Sequence, residues 1–213
     1  LWTLPGNVKV NTLFAGGSFG RRANKNSDYV VETAHIAKEN GQPVPIKLVW
    51  TREDDTNAGY FRPMYFHKLR AGLDSNGKII AWQHKIIGQS IMSGSVYAAF
   101  ITDGIDSSSV EGATSLPYNI PNFEVQLKTV ESQVPVLWWR SVGSTHTAYS
   151  TEVFMDELAA AAGQDPLAFR RAHLSDDPRY KAVLDLAIEK SGWGSALPAN
   201  RSRGVAIHKS FGS

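Results

Sequence analysis

The sequence predicts an α+β fold with a mixed sheet, and three stretches of the chain support that prediction. They are a strand–loop–helix–strand unit over residues 8–50, a β-hairpin over 67–87 and a helical segment over 148–192. Composition agrees with a folded protein, because 42% hydrophobic and 20% charged residues are ordinary values for a globular chain. The length of 213 residues permits one large domain or two small ones.

Charge, cysteine content and hydropathy exclude several classes of function. A net charge of +2 is too small to indicate a nucleic-acid partner, and the absence of cysteine excludes disulfides, thiolate catalysis and iron–sulfur ligation within this chain. No apolar run approaches the roughly 20 residues that span a bilayer, so no transmembrane segment is expected. The six histidines lack the short spacings of metal ligands, and we therefore expect no metal bound directly by side chains.

The strand–loop–helix–strand unit rests on a change of periodicity. Alternation of apolar and polar residues over 8–12 predicts a strand, and the apolar run over 46–50 predicts another. Between them, an apolar stripe predicts a helix over about 28–40, with Ser27 or Asn26 as its cap.

The hairpin is predicted by two strand-like runs, 67–73 and 78–87, which flank the turn sequence Asp-Ser-Asn-Gly at 74–77. The following stretch, 88–116, is rich in Ser, Gly and Ala and predicts a long irregular segment. It is either an ordered functional loop or a surface connection. A clean alternation over 123–130 predicts a further strand.

Three helices are predicted towards the end of the chain. The first covers about 148–162 and ends before a glycine. Aspartate–proline pairs at 165–166 and 177–178 open the second and the third, because aspartate caps a helix and proline suits its first turn. Gly192 ends the third.

Two acidic clusters each have more than one interpretation. Glu152 and Asp156 share a helix face, and either ion-pair with a buried arginine such as Arg140 or Arg170 or face solvent. The charged run over 51–55 holds a divalent ion, positions a loop, or is simply solvated.

The most informative segment is the glycine bend, residues 13–22, with the sequence Leu-Phe-Ala-Gly-Gly-Ser-Phe-Gly-Arg-Arg. Glycines permit positive φ and a close approach of backbone to ligand. Successive N–H groups in such a bend bind anions, and adjacent guanidiniums donate to phosphate. The bend matches neither a Walker nor a Rossmann pattern. Taken alone, it is also compatible with a turn that has a solvated flank.

A second segment, Trp138-Trp139-Arg140, places a charged group beside two large aromatic side chains. A fixed charge in a low-dielectric surface stabilises developing negative charge strongly. The alternative is a strand end at which the tryptophans pack in the core while the arginine extends outwards.

In their order along the chain, these segments resemble the large molybdenum-binding subunits of the xanthine dehydrogenase family. Within that family, the resemblance is greatest to the beta subunit of isoquinoline 1-oxidoreductase and to related aldehyde dehydrogenase large subunits. The resembling segments are 15–22, 48–55, 60–63, 67–74, 134–143, 152–159 and 165–171.

The resemblance implies a fold like that of a molybdenum-cofactor-binding domain, and a molybdopterin cofactor in its cytosine dinucleotide form. It implies oxidation of an aldehyde or N-heterocycle carbon with water-derived oxygen. Electrons would pass to an iron–sulfur small subunit and on to an acceptor such as a cytochrome c. The resemblance does not distinguish a periplasmic from a cytoplasmic location in a bacterium.

The resemblance also implies site residues in both segments. In the glycine bend, Ser18 departs from the commoner Gly-Gly-Gly-Phe-Gly pattern. Arg140 would line the substrate pocket, and Val142 stands where an aromatic often stacks on substrate. The implied cofactor-binding residues are Gly17, Phe19, Gly20 and Arg21.

The family's general base is a glutamate in a Gly-Val-Gly-Glu motif, and these 213 residues contain no such motif. We therefore expect residues 1–213 to be an internal fragment, mainly the first cofactor-binding domain, with a second, truncated domain starting at about 204. Alone it is expected to bind no cofactor and to be inactive. Two alternatives are a non-catalytic scaffold domain of the same fold, and an unrelated phosphate-binding domain with Phe19 and Arg140 on opposite faces.

Overall fold

The computed structural model describes residues 3–174 and 177–213, and its centre is a three-stranded mixed sheet packed against helices. The α+β fold class is therefore confirmed. The strands are β1 (Tyr65–Leu73), β2 (Ile79–Gly88) and β3 (Phe123–Thr129), and the helices are α1 (Asp28–Asn40), α2 (Arg52–Asn57), α3 (Ser144–Ala161), α4 (Pro166–His173) and α5 (Pro178–Ser191). Among the described residues, no helix has the length and apolar character needed to cross a membrane.

The predicted hairpin is confirmed, and it forms the first two strands of the sheet. β1 and β2 pair antiparallel, and β3 joins the other side of β2 in a parallel direction. One Asp74 carboxylate oxygen accepts hydrogen bonds from the backbone N–H groups of Asn76 and Lys78, which closes the turn. Gly77 adopts a φ of 77°, a conformation that glycine tolerates best.

The predicted strands over 8–12 and 46–50 are wrong in the described part of the chain, although the helix between them has the predicted bounds. Both segments lack ladder hydrogen bonds, and Val10 is 80% exposed. A strand exists only through a partner strand, which sequence alternation does not identify. The predicted side-chain cap of α1 is also absent, because Ser27 takes a left-handed conformation.

The three later helices are confirmed, with α3 starting four residues earlier than predicted. Its first turn is held by the Thr147 hydroxyl, which donates to the carbonyls of Gly143 and Glu111 at 3.0 and 2.6 Å. Asp165 and Asp177 cap α4 and α5 as predicted, each accepting backbone N–H groups of the first turn.

The main core lies between one face of the sheet and helices α3, α4 and α5. Ile207 packs into this same core from the last segment of the chain. The start of a second domain at about 204 stays a prediction. Other core side chains are Ile79, Trp82, Met155, Phe169 and Leu184.

A buried ion pair crosses this core, so the first interpretation of the acidic helix face is correct. Arg170 is fully buried and donates to Glu152 at 2.9 Å and to Asp156 at 2.5 Å. The second Glu152 oxygen accepts from the Tyr118 hydroxyl at 2.8 Å, and the Ile207 backbone N–H also donates to this carboxylate. The network joins α3 and α4 to the last segment.

The irregular segment over 88–116 is ordered by a buried carboxylate. Asp106 is fully buried and accepts from the hydroxyls of Ser90 and Ser108, both at 2.5 Å. The charged run over 51–55 opens the short helix α2 through a reciprocal capping box between Thr51 and Asp54.

Candidate cofactor site

The glycine bend and the Trp138–Arg140 segment lie in direct contact. The backbone N–H of Arg140 donates to the carbonyl of Phe19 at 2.9 Å. At Gly20, where φ is 98°, an added Cβ would lie 2.2 Å from the Trp138 carbonyl oxygen. Only glycine permits this backbone approach, and the contact excludes the alternative with Phe19 and Arg140 on opposite faces.

Phe19 projects outwards from the bend over a second glycine. Its side chain is 59% exposed and its φ is 50°. A Cβ added at Gly17 would meet the Phe19 ring at 3.1 Å, and Gly17 itself has a φ of 112°. Gly17 therefore provides both the bend and the space in which the aromatic ring rests.

The two segments together present unpaired hydrogen-bond donors on one surface. In the described part of the chain, the backbone N–H groups over 17–20 donate to no protein group, and neither does the exposed Arg140 guanidinium. Donors of this kind suit the oxygen atoms of an anionic group. The backbone donors of the glycine bend therefore fit the oxygen atoms of a pterin cofactor, and the Arg140 guanidinium beside them is free to bind a further polar group.

Arg21 is engaged within the protein. Its guanidinium binds both oxygens of Asp28, at 2.6 and 3.0 Å, and lies 5.7 Å from the Trp50 ring and 5.8 Å from the Tyr60 ring. The hydrogen bond with Asp28 raises the pKa of Arg21. These contacts attach the bend to the start of α1, and contact of Arg21 with a cofactor stays a prediction.

Arg140 and Val142 belong to a strained turn, residues 139–143. Ser141 and Val142 have φ values of 71° and 44°, which are costly for residues other than glycine. The turn is closed by the Val142 N–H, which donates to Trp139 at 2.8 Å. At Gly143, an added Cβ would lie 2.1 Å from the Ser108 carbonyl oxygen, so the turn packs directly on the 88–116 segment.

Arg62 supports this turn, a role that sequence reasoning did not assign to it. Its guanidinium donates to the Arg140 carbonyl at 3.1 Å and to the Thr145 hydroxyl at 2.5 Å. Burial lowers the pKa of Arg62. No local sequence signal indicates the role, because both acceptors lie about 80 residues away in the chain and one of them is a backbone carbonyl.

Three histidines behind the turn form a hydrogen-bonded series, called here the imidazole chain. His84 Nε2 lies 2.8 Å from His67 Nδ1, and His67 Nε2 lies 3.1 Å from His146 Nδ1. The nitrogen atoms face one another in sequence and do not converge on a point. Accordingly, no cluster of histidine and acidic side chains in the described ranges can hold a metal ion.

We predict that the imidazole chain remains neutral in mildly acidic solution. Burial lowers the pKa of His84 to about 4 and that of His146 to about 3, and His67 and Arg62 add repulsion at His146. Since the unfolded chain binds these protons at a pKa of about 6.5, the free energy of unfolding should fall as pH drops from 6.5 towards 4. Histidine NMR titration provides the check, and charging of both rings near pH 6.5 would contradict the expectation.

A family model, described as the molybdopterin cofactor-binding domain, matches residues 3–174. The chain belongs to this family. The match confirms the resemblance inferred from the ordered segments, and it includes both the glycine bend and the strained turn of this molybdopterin cofactor-binding domain.

Curated relatives agree with the family. The chain is 28% identical over 205 residues to the isoquinoline 1-oxidoreductase subunit beta of Brevundimonas diminuta, covering 95% of this chain and 26% of that protein. It is also 28% identical to a membrane-bound aldehyde dehydrogenase (pyrroloquinoline-quinone) of Gluconacetobacter polyoxogenes. That similarity covers 93% of this chain and 28% of that protein. The chain thus spans about a quarter of the length of these relatives.

The fold agrees with a solved structure, quinoline 2-oxidoreductase from Pseudomonas putida 86. The TM-score is 0.64 with 16% sequence identity, over 83% of this chain and 24% of that one. At this identity the similarity establishes the fold alone.

Proposed function

We propose that this chain forms one side of the molybdopterin site in a molybdenum hydroxylase, an oxidoreductase that oxidises an aldehyde or N-heterocycle carbon with water-derived oxygen. The contact between the Phe19 carbonyl and the Arg140 N–H carries the proposal, because it brings two segments with free donors onto one surface. In this proposal the complete subunit passes electrons to an iron–sulfur partner and then to an acceptor such as a cytochrome c.

Each part of the site has a chemical role in this proposal. The bound cofactor would supply oxygen transfer and accept the electrons, while the protein binds and orients it. The backbone of Phe19 and Gly20 holds the cofactor, and the Phe19 ring excludes water from it. The Arg140 guanidinium orients the substrate and stabilises negative charge that develops on it. Val142 offers no ring for stacking, which favours an aldehyde over an aromatic heterocycle.

The identity of the cofactor can be tested separately. The family match over 3–174 supports a pterin, although the name of the Gluconacetobacter relative specifies pyrroloquinoline quinone. We infer the cytosine dinucleotide form. Acid hydrolysis of the cofactor from the complete subunit should release CMP, whereas AMP, GMP or a quinone would contradict this inference.

We expect Arg140→Ala in the complete subunit to lower kcat/KM by about 10²–10³-fold, because a charged donor is lost from the substrate pocket. Molybdenum content should stay unchanged. Arg140→Lys should recover part of the lost kcat/KM, since lysine keeps the positive charge but lacks the planar guanidinium with its paired donors. Arg171→Ala, which removes an exposed arginine on α4, is the matched control for kinetics. An unchanged kcat/KM for Arg140→Ala would overturn the assigned role.

The 213-residue chain by itself is proposed to bind no molybdenum, because it forms only one side of the proposed site, and to be inactive, because it lacks the glutamate base of the family motif. Elemental analysis of the purified chain provides the test. Stoichiometric molybdenum in it would contradict the proposal. A complete subunit with neither molybdenum nor turnover would favour the scaffold alternative.

A further inference from the structure

A small cavity lies directly beneath the strained turn. Its volume accessible to water is about 10 Å3, which is close to the space of one water molecule. The turn contributes Trp139 and Val142 to the lining, and α3 contributes His146. This cavity therefore connects the turn that carries Arg140 with the end of the imidazole chain.

Two side chains that line this cavity have buried ring nitrogens without a partner among the described residues. They are Trp139 Nε1 and His146 Nε2. An unpaired buried polar group costs about 1–3 kcal/mol, so an occupant that satisfies both nitrogens is strongly favoured. An indole nitrogen can only donate, whereas a neutral imidazole nitrogen can accept. An occupant that accepts from the indole N–H and donates to the imidazole nitrogen satisfies both atoms.

We propose that this cavity is a binding site for one structural water, which accepts from Trp139 Nε1 and donates to His146 Nε2. This assignment determines the proton positions along the imidazole chain. If His146 Nε2 is an acceptor, its proton is on Nδ1 and is donated to His67 Nε2. The His67 proton is then also on Nδ1 and is donated to His84 Nε2.

All three histidines are thus Nδ1–H tautomers, and His84 keeps a buried Nδ1–H without a partner in the described part of the chain. No net charge enters the chain, in agreement with the burial that lowers the pKa values of its members. Charged groups near this region include Arg62, next to His146, Asp106, which acts on Tyr65, and Glu111, whose carboxylate accepts from the Gly143 N–H at 3.1 Å.

The position of His146 is fixed from its other face. The Tyr65 ring stacks on the His146 ring with 3.8 Å between centroids and 16° between planes. Tyr65 is itself held by its hydroxyl, which donates to the Gln89 carbonyl at 2.8 Å. On its other side the Tyr65 ring packs directly on Gly88, where an added Cβ would lie 2.1 Å from the ring.

The water therefore connects the strained turn to a rigid support, which makes His146 and Trp139 positioning residues for Arg140. The importance of that position for catalysis rests on the proposed function, whereas the water site and the tautomers do not. The water site and the proposed function can therefore be tested independently.

The test is solid-state ¹⁵N NMR of the complete subunit labelled at histidine, with signals assigned by single His→Gln variants. The expected result is an Nδ1–H tautomer for each of His67, His84 and His146. Trp139→Phe should alter the ¹⁵N signal of His146 Nε2. Trp138→Phe, the same change one residue earlier, should leave the ¹⁵N signals of all three histidines unchanged. An Nε2–H tautomer at His146, or a Trp139→Phe spectrum identical to the wild type, would overturn the proposal.

Hydrogen exchange adds a readout of the turn itself. Loss of the water should increase exchange of the Arg140 amide, which is bonded to Phe19, by about tenfold in Trp139→Phe but not in Trp138→Phe. If Trp139→Phe fails to fold, the wild-type tautomers alone decide the proposal. A protein with three Nδ1–H histidines but no molybdenum would refute the proposed function and leave the water site intact.

Discussion

Arg170→Met is expected to lower the free energy of unfolding by about 3–5 kcal/mol, because it leaves a carboxylate buried without its cation. Glu152 is 6% exposed, and its partner Arg170 is fully buried. The loss should be largest for the contacts among α3, α4 and Ile207, which meet at this carboxylate. Urea denaturation of wild type and variant measures the change.

The adjacent residue offers a matched control. Arg171→Met removes the same charge from an exposed position on the same helix and should change stability by no more than about 0.5 kcal/mol. The double variant Arg170→Met with Glu152→Leu should recover much of the lost stability, since it removes the uncompensated charge. A loss of less than about 1 kcal/mol in Arg170→Met would show that the pair does not organise this core.

Gly20→Ala is expected to lower cofactor affinity in the complete subunit by roughly tenfold to a hundredfold. The new Cβ would lie 2.2 Å from the Trp138 carbonyl oxygen, and a φ of 98° is unfavourable for alanine. Since the new Cβ meets backbone atoms, the strain is relieved only if the glycine bend separates from the Trp138-Trp139-Arg140 segment. Strain of about 1–3 kcal/mol corresponds to that range of affinity. The molybdenum content of the subunit at limiting cofactor concentration measures this change in affinity.

Gly16→Ala is the matched control in the same bend. A Cβ at Gly16 meets nothing within 4 Å, and its φ lies outside the positive region. This variant should retain molybdenum, and both variants should keep the helices and sheet, as judged by circular dichroism. Equal molybdenum content in Gly20→Ala and wild type would mean that the contact does not position the cofactor.

Local signals in the sequence predicted most of the regular structure. The hairpin depends on a turn sequence and two alternating runs, and α4 and α5 depend on their aspartate caps, all of which act within a few residues. The strands over 8–12 and 46–50 were wrong because a strand requires a partner from elsewhere in the chain. Alternation of apolar and polar residues indicates that one face of a strand is suited to burial, but it does not identify the part of the chain that covers that face.

The candidate site was only partly predictable for the same reason. Glycine and arginine patterns identified the two segments, but the bond between Phe19 and Arg140 depends on tertiary structure. The imidazole chain was missed because spacing tests search for convergent metal ligands. A usable signal existed in the hairpin, since its turn predicts a register that puts His67 and His84 on the same face of neighbouring strands.

The central claim is that the glycine bend and the strained turn together contact the cofactor. A crystal structure of the complete subunit with its cofactor bound tests this claim most directly. We predict that the backbone at Phe19 and Gly20 and the Arg140 side chain all lie in contact with the cofactor or with a substrate analogue beside it. A bound cofactor remote from both segments would contradict the claim.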